Sequence, residues 1–270
     1  MTARQEVTPR LIDVDGSSVR VLVQGHSAGQ YPLMLINGLG ARLEMWRSFG
    51  SEFPDRQLVM FDLPGISGVP AATFPLVMAG LADWSMKLLD AIDVQRADIL
   101  GFSWGGVLAQ QIARDAPSRI RGLALAGTNF GLGCWPLRPL TLSQLSSMTG
   151  LGSDDPLELL IAATGGVGRN TMELIGAVNP VTSSMDGYLR QLYALTGWTS
   201  LPWLHELRMP TLVLAGDDDP LIPTTTTHAL ANAIAGARLS LIRGGGHLLP
   251  VNQPVEMAGI VRQFLHDISS

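Results

Sequence analysis

Short apolar runs bounded by glycine, proline or aspartate recur along the chain, and most of them lack alternation between apolar and polar residues. An uninterrupted apolar strand is covered on both faces, which is typical of a mostly parallel sheet between two helical layers. Segments with helical periodicity separate several of these runs, so the pattern predicts an α/β fold. The predicted strands cover residues 19–23, 33–36, 58–61, 98–102, 122–126, 211–215 and 239–242, and the predicted helices cover 78–92, 104–114 and 254–266.

The alternation of strands and helices stops after residue 126 and resumes with a strand near residue 210. Long stretches without strands in compact domains are usually lids or binding elements. We therefore predict a core of residues 1–130 and 207–270 with an inserted helical cap of residues 131–206. The alternative is a helical layer of the core that is unrelated to any site. Helical pieces are predicted within this stretch at residues 156–163, 171–178 and 185–196.

Composition excludes several classes of function. The 270 residues include one cysteine, Cys134, so no internal disulfide is possible. With 18 basic and 23 acidic residues and no basic cluster, nothing indicates binding to nucleic acid or to an anionic membrane. The longest uncharged run, residues 63–82, contains three prolines and cannot be a regular membrane helix. Residues 1–10 lack the apolar core of a secretory signal, so a cytoplasmic location is expected.

A G-x-S-x-G sequence occupies residues 101–105, between a predicted strand and a predicted helix. At such a sharp turn the serine adopts a strained backbone, and the flanking glycines remove side chains that would collide. The amino end of the following helix favours developing negative charge. This context indicates that Ser103 is a nucleophile. The alternative is a glycine-rich helix start with an N-cap serine.

A serine nucleophile needs a base and an orienting acid from elsewhere in the chain. Residues 210–223, PTLVLAGDDDPLIP, form a predicted strand followed by three aspartates, and His247 follows a glycine loop after the last predicted strand. The order Ser, Asp, His is that of α/β-hydrolase triads. Of the three aspartates we select Asp219 as the acid, then its two predecessors in order of proximity. A calcium loop is disfavoured, because Pro220 interrupts the ligand spacing, and no metal is predicted.

Acyl transfer also requires an oxyanion hole of two convergent backbone N–H groups, one of them from the residue after the nucleophile. Trp104 occupies that position. The loop 37–40, Asn-Gly-Leu-Gly, directly follows an apolar strand and can supply the second donor, which we assign to Leu39. The alternative for this loop is an ordinary strand-to-helix turn.

With these pieces the chain resembles the α/β-hydrolase superfamily and, within it, the intracellular depolymerases of medium-chain-length poly(3-hydroxyalkanoates). The specific likeness lies in the Trp after the Ser, the GWTS and WLH block, and the aspartate string. The resemblance implies a serine hydrolase that cleaves β-hydroxy ester bonds of an apolar polyester or its oligomers without a cofactor, with a polyester granule surface as a partner. It places the triad on Ser103, Asp219 and His247. The segments that carry it are residues 35–44, 99–113, 197–205 and 210–223.

The predicted cap is rich in Leu, Met and Trp, and we expect it to wall an apolar acyl pocket. The alternative is that these side chains pack only against one another. Two other functions stay open, because a fold does not settle the substrate. One is a small-molecule carboxylesterase or lactonase, and the other is a hydrolase-fold binding protein with negligible turnover. The candidate pocket residues are Trp135, Met148, Leu151, Trp198 and Trp203.

Overall fold

The apolar runs of the sequence lie side by side in one sheet of a computed structural model, which describes residues 8–26, 29–67, 77–131 and 185–269. The described strands form an eight-stranded sheet in the order β1-β2-β4-β3-β5-β6-β7-β8. β1 pairs with β2 and β2 with β4 in antiparallel fashion, and the pairs from β4 through β3 to β8 are parallel. The strands are β1 (Arg10–Val14), β2 (Ser17–Gln24), β3 (Leu33–Ile36), β4 (Leu58–Phe61), β5 (Ala97–Phe102), β6 (Ile120–Ala126), β7 (Thr211–Gly216) and β8 (Arg238–Ile242).

Helices cover both faces of this sheet, which confirms the predicted α/β class. Met34 and Ile36 of β3 belong to a core cluster with residues of α2, α3 and α5, whereas Leu33 and Leu35 belong to a second cluster with residues of α1, α6 and α7. Each such fully buried side chain stabilises the fold by about 1.5–3 kcal/mol relative to exposure. The described helices are α1 (Arg47–Gly50), α2 (Met78–Asp90), α3 (Trp104–Asp115), α4 (Met185–Ala194), α5 (Thr224–Ala233), α6 (Leu249–Asn252) and α7 (Pro254–Asp267), with short 3₁₀ turns at Leu43–Trp46, Pro117–Arg119 and Leu204–Glu206.

Two longer elements, β1 and α5, have no counterpart among the predicted ones, and neither do the four-residue helices α1 and α6. β1 is an edge strand whose residues are mostly exposed, so it carries no apolar run. α5 begins with four threonines, and β-branched residues favour strands over helices. In both cases tertiary pairing or packing outweighs a weak local signal.

The predicted cap falls largely outside the described residues, which omit 132–184. Its last predicted helix, residues 185–196, corresponds to α4 (Met185–Ala194). The boundaries of the cap therefore stay a prediction. Within the described part of the chain, no helix is both long and apolar enough to cross a membrane.

The parallel strands bring their carboxyl ends to one edge of the sheet. β3 and β5 are neighbours, and β6, β7 and β8 follow in order. Loops that follow these strands therefore meet at this edge, which is where ligands bind in open α/β sheets. The three side chains predicted to perform the chemistry follow β5, β7 and β8.

Candidate active site

Ser103 lies at the turn between β5 and α3 with φ 53° and ψ −119°. A residue with a Cβ rarely adopts this backbone conformation, and holding it costs about 1–3 kcal/mol. Hydrogen bonds hold the turn on both sides. Ser103 N–H donates to the Ala126 carbonyl at 2.8 Å, and the Ser103 carbonyl accepts from Gly106 N–H at 2.9 Å and from the Thr128 hydroxyl at 2.7 Å. The position of the serine is thus determined by β6 and the residues after it as well as by its own turn.

The glycines on either side of Ser103 are required by close approach of the backbone. A Cβ on Gly101 would lie 2.4 Å from the Gly105 carbonyl oxygen. A Cβ on Gly105 would lie 2.4 Å from the carbonyl oxygens of both Ile36 and Asn37. Gly105 therefore lets α3 begin directly against the carboxyl end of β3.

The structure brings Ser103, His247 and Asp219 into one hydrogen-bonded chain. Nε2 of His247 lies 3.0 Å from Oγ of Ser103, and Nδ1 lies 2.8 Å from Oδ2 of Asp219. The imidazole and the carboxylate are almost completely buried. The second carboxylate oxygen, Oδ1, accepts from the backbone N–H groups of Leu221 at 2.8 Å and Ile222 at 2.9 Å. An ionised Asp219 assigns the ring proton to Nδ1 and leaves Nε2 free to accept the serine proton.

Each of the three consecutive aspartates has a different partner. Asp217 accepts from Gly244 N–H through Oδ1 at 2.7 Å, and Asp218 N–H donates to the Gly245 carbonyl at 2.9 Å. These two residues hold the glycine loop that carries His247. Asp219 is the aspartate whose carboxylate contacts the imidazole.

The imidazole of His247 is also fixed by packing. Its ring centroid lies 5.2 Å from that of Phe102, the last residue of β5. On the β6 side, Gly127 approaches so closely that a Cβ there would lie 3.6 Å from Cε1 and Nδ1 of the ring, and its φ of 51° favours glycine. Neither contact is apparent from the sequence, because each joins His247 to a residue at the end of a different strand.

The loop after β3 lies against the nucleophile. A Cβ on Gly38 would be 3.6 Å from Cβ of Ser103. The Asn37 side chain stabilises the loop: its Nδ2 donates to the Phe61 carbonyl at 2.9 Å, and its Oδ1 accepts from Trp46 Nε1 at 2.7 Å. Leu39 is partly buried in this loop, and Trp104 begins α3, where the first N–H groups lack intrahelical partners. Their roles as the two oxyanion donors stay a prediction.

A buried charge cluster supports this loop from the end of β4. Asp62 accepts from Leu43 N–H at 2.7 Å, from the Ser67 hydroxyl at 2.6 Å and from Arg20 Nη1 at 2.8 Å. Burial raises the pKa of Asp62 above its usual range, because desolvation outweighs these hydrogen bonds. Its position directly after an apolar strand is the sequence signal that could have revealed this residue.

Gln191 of α4 contacts both segments that flank the nucleophile, and no local sequence pattern distinguishes it. Its Oε1 accepts from Gly40 N–H at 2.8 Å, and its main-chain carbonyl accepts from Trp104 Nε1 at 2.9 Å. The predicted cap thus contacts the core at the candidate site through this residue.

The two described candidates for the acyl pocket contact α3. Trp198 Nε1 donates to Gln111 Oε1 at 2.6 Å, and its ring lies 6.0 Å from that of Trp203. The Arg114 guanidinium lies 4.8 Å from the centroid of the Trp203 ring. Their role in a pocket stays a prediction, and the other three candidates lie outside the described residues: Trp135, Met148 and Leu151.

No cluster of metal ligands is present in residues 8–26, 29–67, 77–131 and 185–269. No group of three or more His, Cys, Asp or Glu side chains in these ranges is placed to hold a metal ion.

Comparisons with known proteins agree with this geometry. A model of the alpha/beta hydrolase family matches residues 33–260. The chain is 37% identical over 261 residues to a poly(3-hydroxyalkanoate) depolymerase of Ectopseudomonas oleovorans, covering 95% of this chain and 92% of the relative. It is 26% identical over 231 residues to 3-oxoadipate enol-lactonase 2 of Acinetobacter baylyi (strain ATCC 33305 / BD413 / ADP1), covering 82% and 84% of the two chains.

A solved structure extends the likeness to three dimensions. A hydrolase from Pseudomonas aeruginosa PA01 superposes with a TM-score of 0.78 at 28% identity, covering 97% of this chain and 99% of that one. The family match spans most of the chain, and its sheet order, strained serine turn and buried His–Asp pair agree with it. The chain belongs to the alpha/beta hydrolase family.

Proposed function

We propose that this protein is a serine hydrolase that cleaves the ester bonds of apolar 3-hydroxyalkanoate polyesters or their oligomers through an acyl-enzyme intermediate. The observation that carries the proposal is the hydrogen-bonded chain from Ser103 Oγ through His247 to Asp219 at the carboxyl edge of the sheet. A hydroxyl within hydrogen-bonding distance of a buried, carboxylate-oriented imidazole is the arrangement that activates a serine nucleophile.

In the proposed mechanism His247 Nε2 accepts the Ser103 proton as Oγ attacks the ester carbonyl carbon. The negative oxygen that forms is held by the N–H groups of Leu39 and Trp104. When the intermediate collapses, the bond to the leaving alkoxide breaks and His247 returns the proton to it. Water then attacks the acyl-enzyme with His247 again as the base, which releases the acid and restores Ser103. Asp219 holds Nδ1–H and stabilises the imidazolium in both steps.

The depolymerase of E. oleovorans supports the polyester as substrate, because the likeness extends over almost the whole of both chains. The low content of charged residues, 15% against about 25% in ordinary soluble domains, is compatible with action at the surface of a polyester granule. The enol-lactonase relative favours a second candidate, a small-molecule esterase or lactonase. Release of hydroxy acids from a medium-chain polyester latex, compared with turnover of short- and medium-chain p-nitrophenyl esters, separates the two.

The nucleophile is tested with a fluorophosphonate probe and with Ser103→Ala. We expect the probe to label Ser103 and the variant to lose activity on p-nitrophenyl octanoate at least about a thousandfold, because no other group replaces the attacking oxygen. Ser118→Ala is the matched control, since Ser118 is exposed in the turn before β6. More than a tenth of the activity left in Ser103→Ala, or labelling at another residue, would contradict the proposal.

A further inference from the structure

Gln191 is buried at the junction between α4 and the candidate site, with 1% of its surface exposed. Its two carbonyl groups accept hydrogen bonds from two separate segments of the core. Side-chain Oε1 bonds Gly40 N–H in the loop after β3, and the main-chain oxygen bonds the Trp104 indole at the start of α3. The side-chain amide is therefore adjacent to Leu39, the candidate oxyanion donor that precedes Gly40.

The Gly40 contact determines which end of the amide faces the loop. A backbone N–H can only donate, so Oε1 faces Gly40 and the NH₂ group occupies the other position. Within the part of the chain that the structure describes, Nε2 of Gln191 has no hydrogen-bond partner although it is buried. The glutamines of α3 differ, because Gln110 Nε2 donates to the carbonyls of Gly106 and Asn129 and Gln111 Nε2 donates to Asp115.

A buried donor without an acceptor destabilises a fold, and native structures contain few of them. An unpaired donor next to the candidate oxyanion loop, such as Gln191 Nε2, is explained if its acceptor arrives with the substrate. An acceptor that arrives with the substrate lies close to the reacting carbonyl, because Gln191 contacts the residue next to the candidate oxyanion donor.

We propose that Gln191 Nε2 donates a hydrogen bond to the oxygen at the 3-position of the acyl group, and so selects 3-oxygenated esters over plain alkanoate esters. This inference rests on the proposed function. The 3-oxygen is attached two carbons from the carbonyl carbon. The Gln191 amide contacts the N–H of the residue after Leu39, so we expect its NH₂ group to reach this oxygen while the carbonyl oxygen occupies the oxyanion hole. A plain alkanoate leaves the buried NH₂ group unpaired, which is how polar sites reject analogues that lack a hydroxyl.

The test is a cycle of two proteins and two substrates. We measure kcat/KM of the wild type and Gln191→Met on p-nitrophenyl 3-hydroxyoctanoate and p-nitrophenyl octanoate, which share a leaving group. Movement of the Gly40 loop in the variant lowers both values together, so only the ratio between the substrates reports the contact with the 3-oxygen. We expect the wild type to prefer the hydroxy ester roughly tenfold or more, and the variant to lose that preference.

Two further variants support the interpretation. Gln191→Glu keeps an oxygen to accept from Gly40 N–H and replaces the NH₂ group by a carboxyl oxygen. It serves if the methionine variant does not fold, and it is also expected to lose the preference at pH values where the introduced carboxyl group is ionised and has no proton to donate. Gln111→Met is the matched control, because it removes a buried glutamine that joins Trp198 to α3 away from the Gly40 loop. It is expected to keep the wild-type ratio.

A wild-type ratio near one, or a ratio that Gln191→Met and Gln191→Glu leave unchanged, would overturn the role of Gln191. Failure of the proposed function looks different. If the fluorophosphonate does not label Ser103 and neither ester is turned over, the hydrolase assignment itself is wrong. If Ser103 is labelled and octanoate is hydrolysed while the ratio does not respond to Gln191, only the present inference is wrong.

Discussion

Ser103, the candidate nucleophile, has a strained backbone, and the strain comes from its Cβ and not from its hydroxyl. The conformation, φ 53° and ψ −119°, is one that glycine adopts readily. Three hydrogen bonds to the serine backbone hold it there whichever side chain is present. The cost of presenting the nucleophile can therefore be measured separately from the reaction.

We expect Ser103→Gly to be more stable than Ser103→Ala by about 1 kcal/mol. Both variants lack the hydroxyl, but only alanine keeps the strained Cβ, and the larger unfolded-state entropy of glycine offsets part of the gain. Urea unfolding followed by circular dichroism measures the difference in the free energy of unfolding. Equal stability, or a less stable glycine variant, would show that the turn is not strained.

At the scale of elements, the contact between the start of α3 and the end of β3 joins the turn at Ser103 to the candidate oxyanion loop. This contact depends on Gly105, since any Cβ there would meet two backbone oxygens that cannot rotate away. Gly38 of the same loop lies against the next strand, because a Cβ there would be 3.2 Å from the Phe102 ring and 3.6 Å from Cβ of Ser103. A small shift of α3 would consequently move both candidate halves of the oxyanion hole relative to each other.

We expect Gly105→Ala to lower the free energy of unfolding by about 1–3 kcal/mol through overpacking, and also to reduce esterase activity. Gly259→Ala is the matched helix control. A Cβ at position 259 of α7 would meet nothing within 4 Å, so this variant should gain about 0.5–1 kcal/mol from helix propensity. Chemical denaturation and a p-nitrophenyl ester assay on both proteins give the comparison. An unchanged free energy of unfolding and unchanged activity in Gly105→Ala would contradict the role of the close contact.

At the scale of the whole molecule, the two ends of the parallel strands carry different groups of polar residues. Asp98, near the start of β5, is fully buried and accepts two hydrogen bonds from Arg121 at 2.8 and 2.6 Å as well as one from Arg56. Ser103 lies five positions further along the chain, which is about 16 Å in an extended strand. This ion cluster lies near the amino ends of the strands, whereas Ser103, Asp219 and His247 follow their carboxyl ends.

We expect Asp98→Asn to lower the free energy of unfolding by about 3–5 kcal/mol, because two partly buried guanidinium groups lose their counter-charge. The kcat of the protein that remains folded should change less than about twofold, since the reacting groups are far away. Asp83→Asn, an exposed aspartate paired with Lys87, is the control and should cost no more than about 1 kcal/mol. A large fall in kcat at unchanged stability would show that the ion cluster and the candidate active site are coupled.

Local physics accounts for the elements that the sequence predicts well. Strands β3 and β4 coincide with the predicted runs, because each is a continuous apolar segment buried on both faces. The turn at Ser103 is predictable for a similar reason, since only glycine tolerates the close backbone contacts on both sides of it. β1 and α5 lack such local signals, and pairing or packing with distant residues decides their conformation.

The sequence by itself determined the class of fold, the turn at Ser103 and the order of the three candidate catalytic residues, because these depend on short-range periodicity, glycine conformations and spacing. Only the tertiary structure decided that Asp217 and Asp218 hold the glycine loop, which leaves Asp219, the aspartate selected from the sequence, in contact with His247. It alone placed Gln191 beside Gly40, and Trp198 against α3. Such contacts join residues far apart in the chain, and their geometry is set by how the layers pack, which no local pattern encodes.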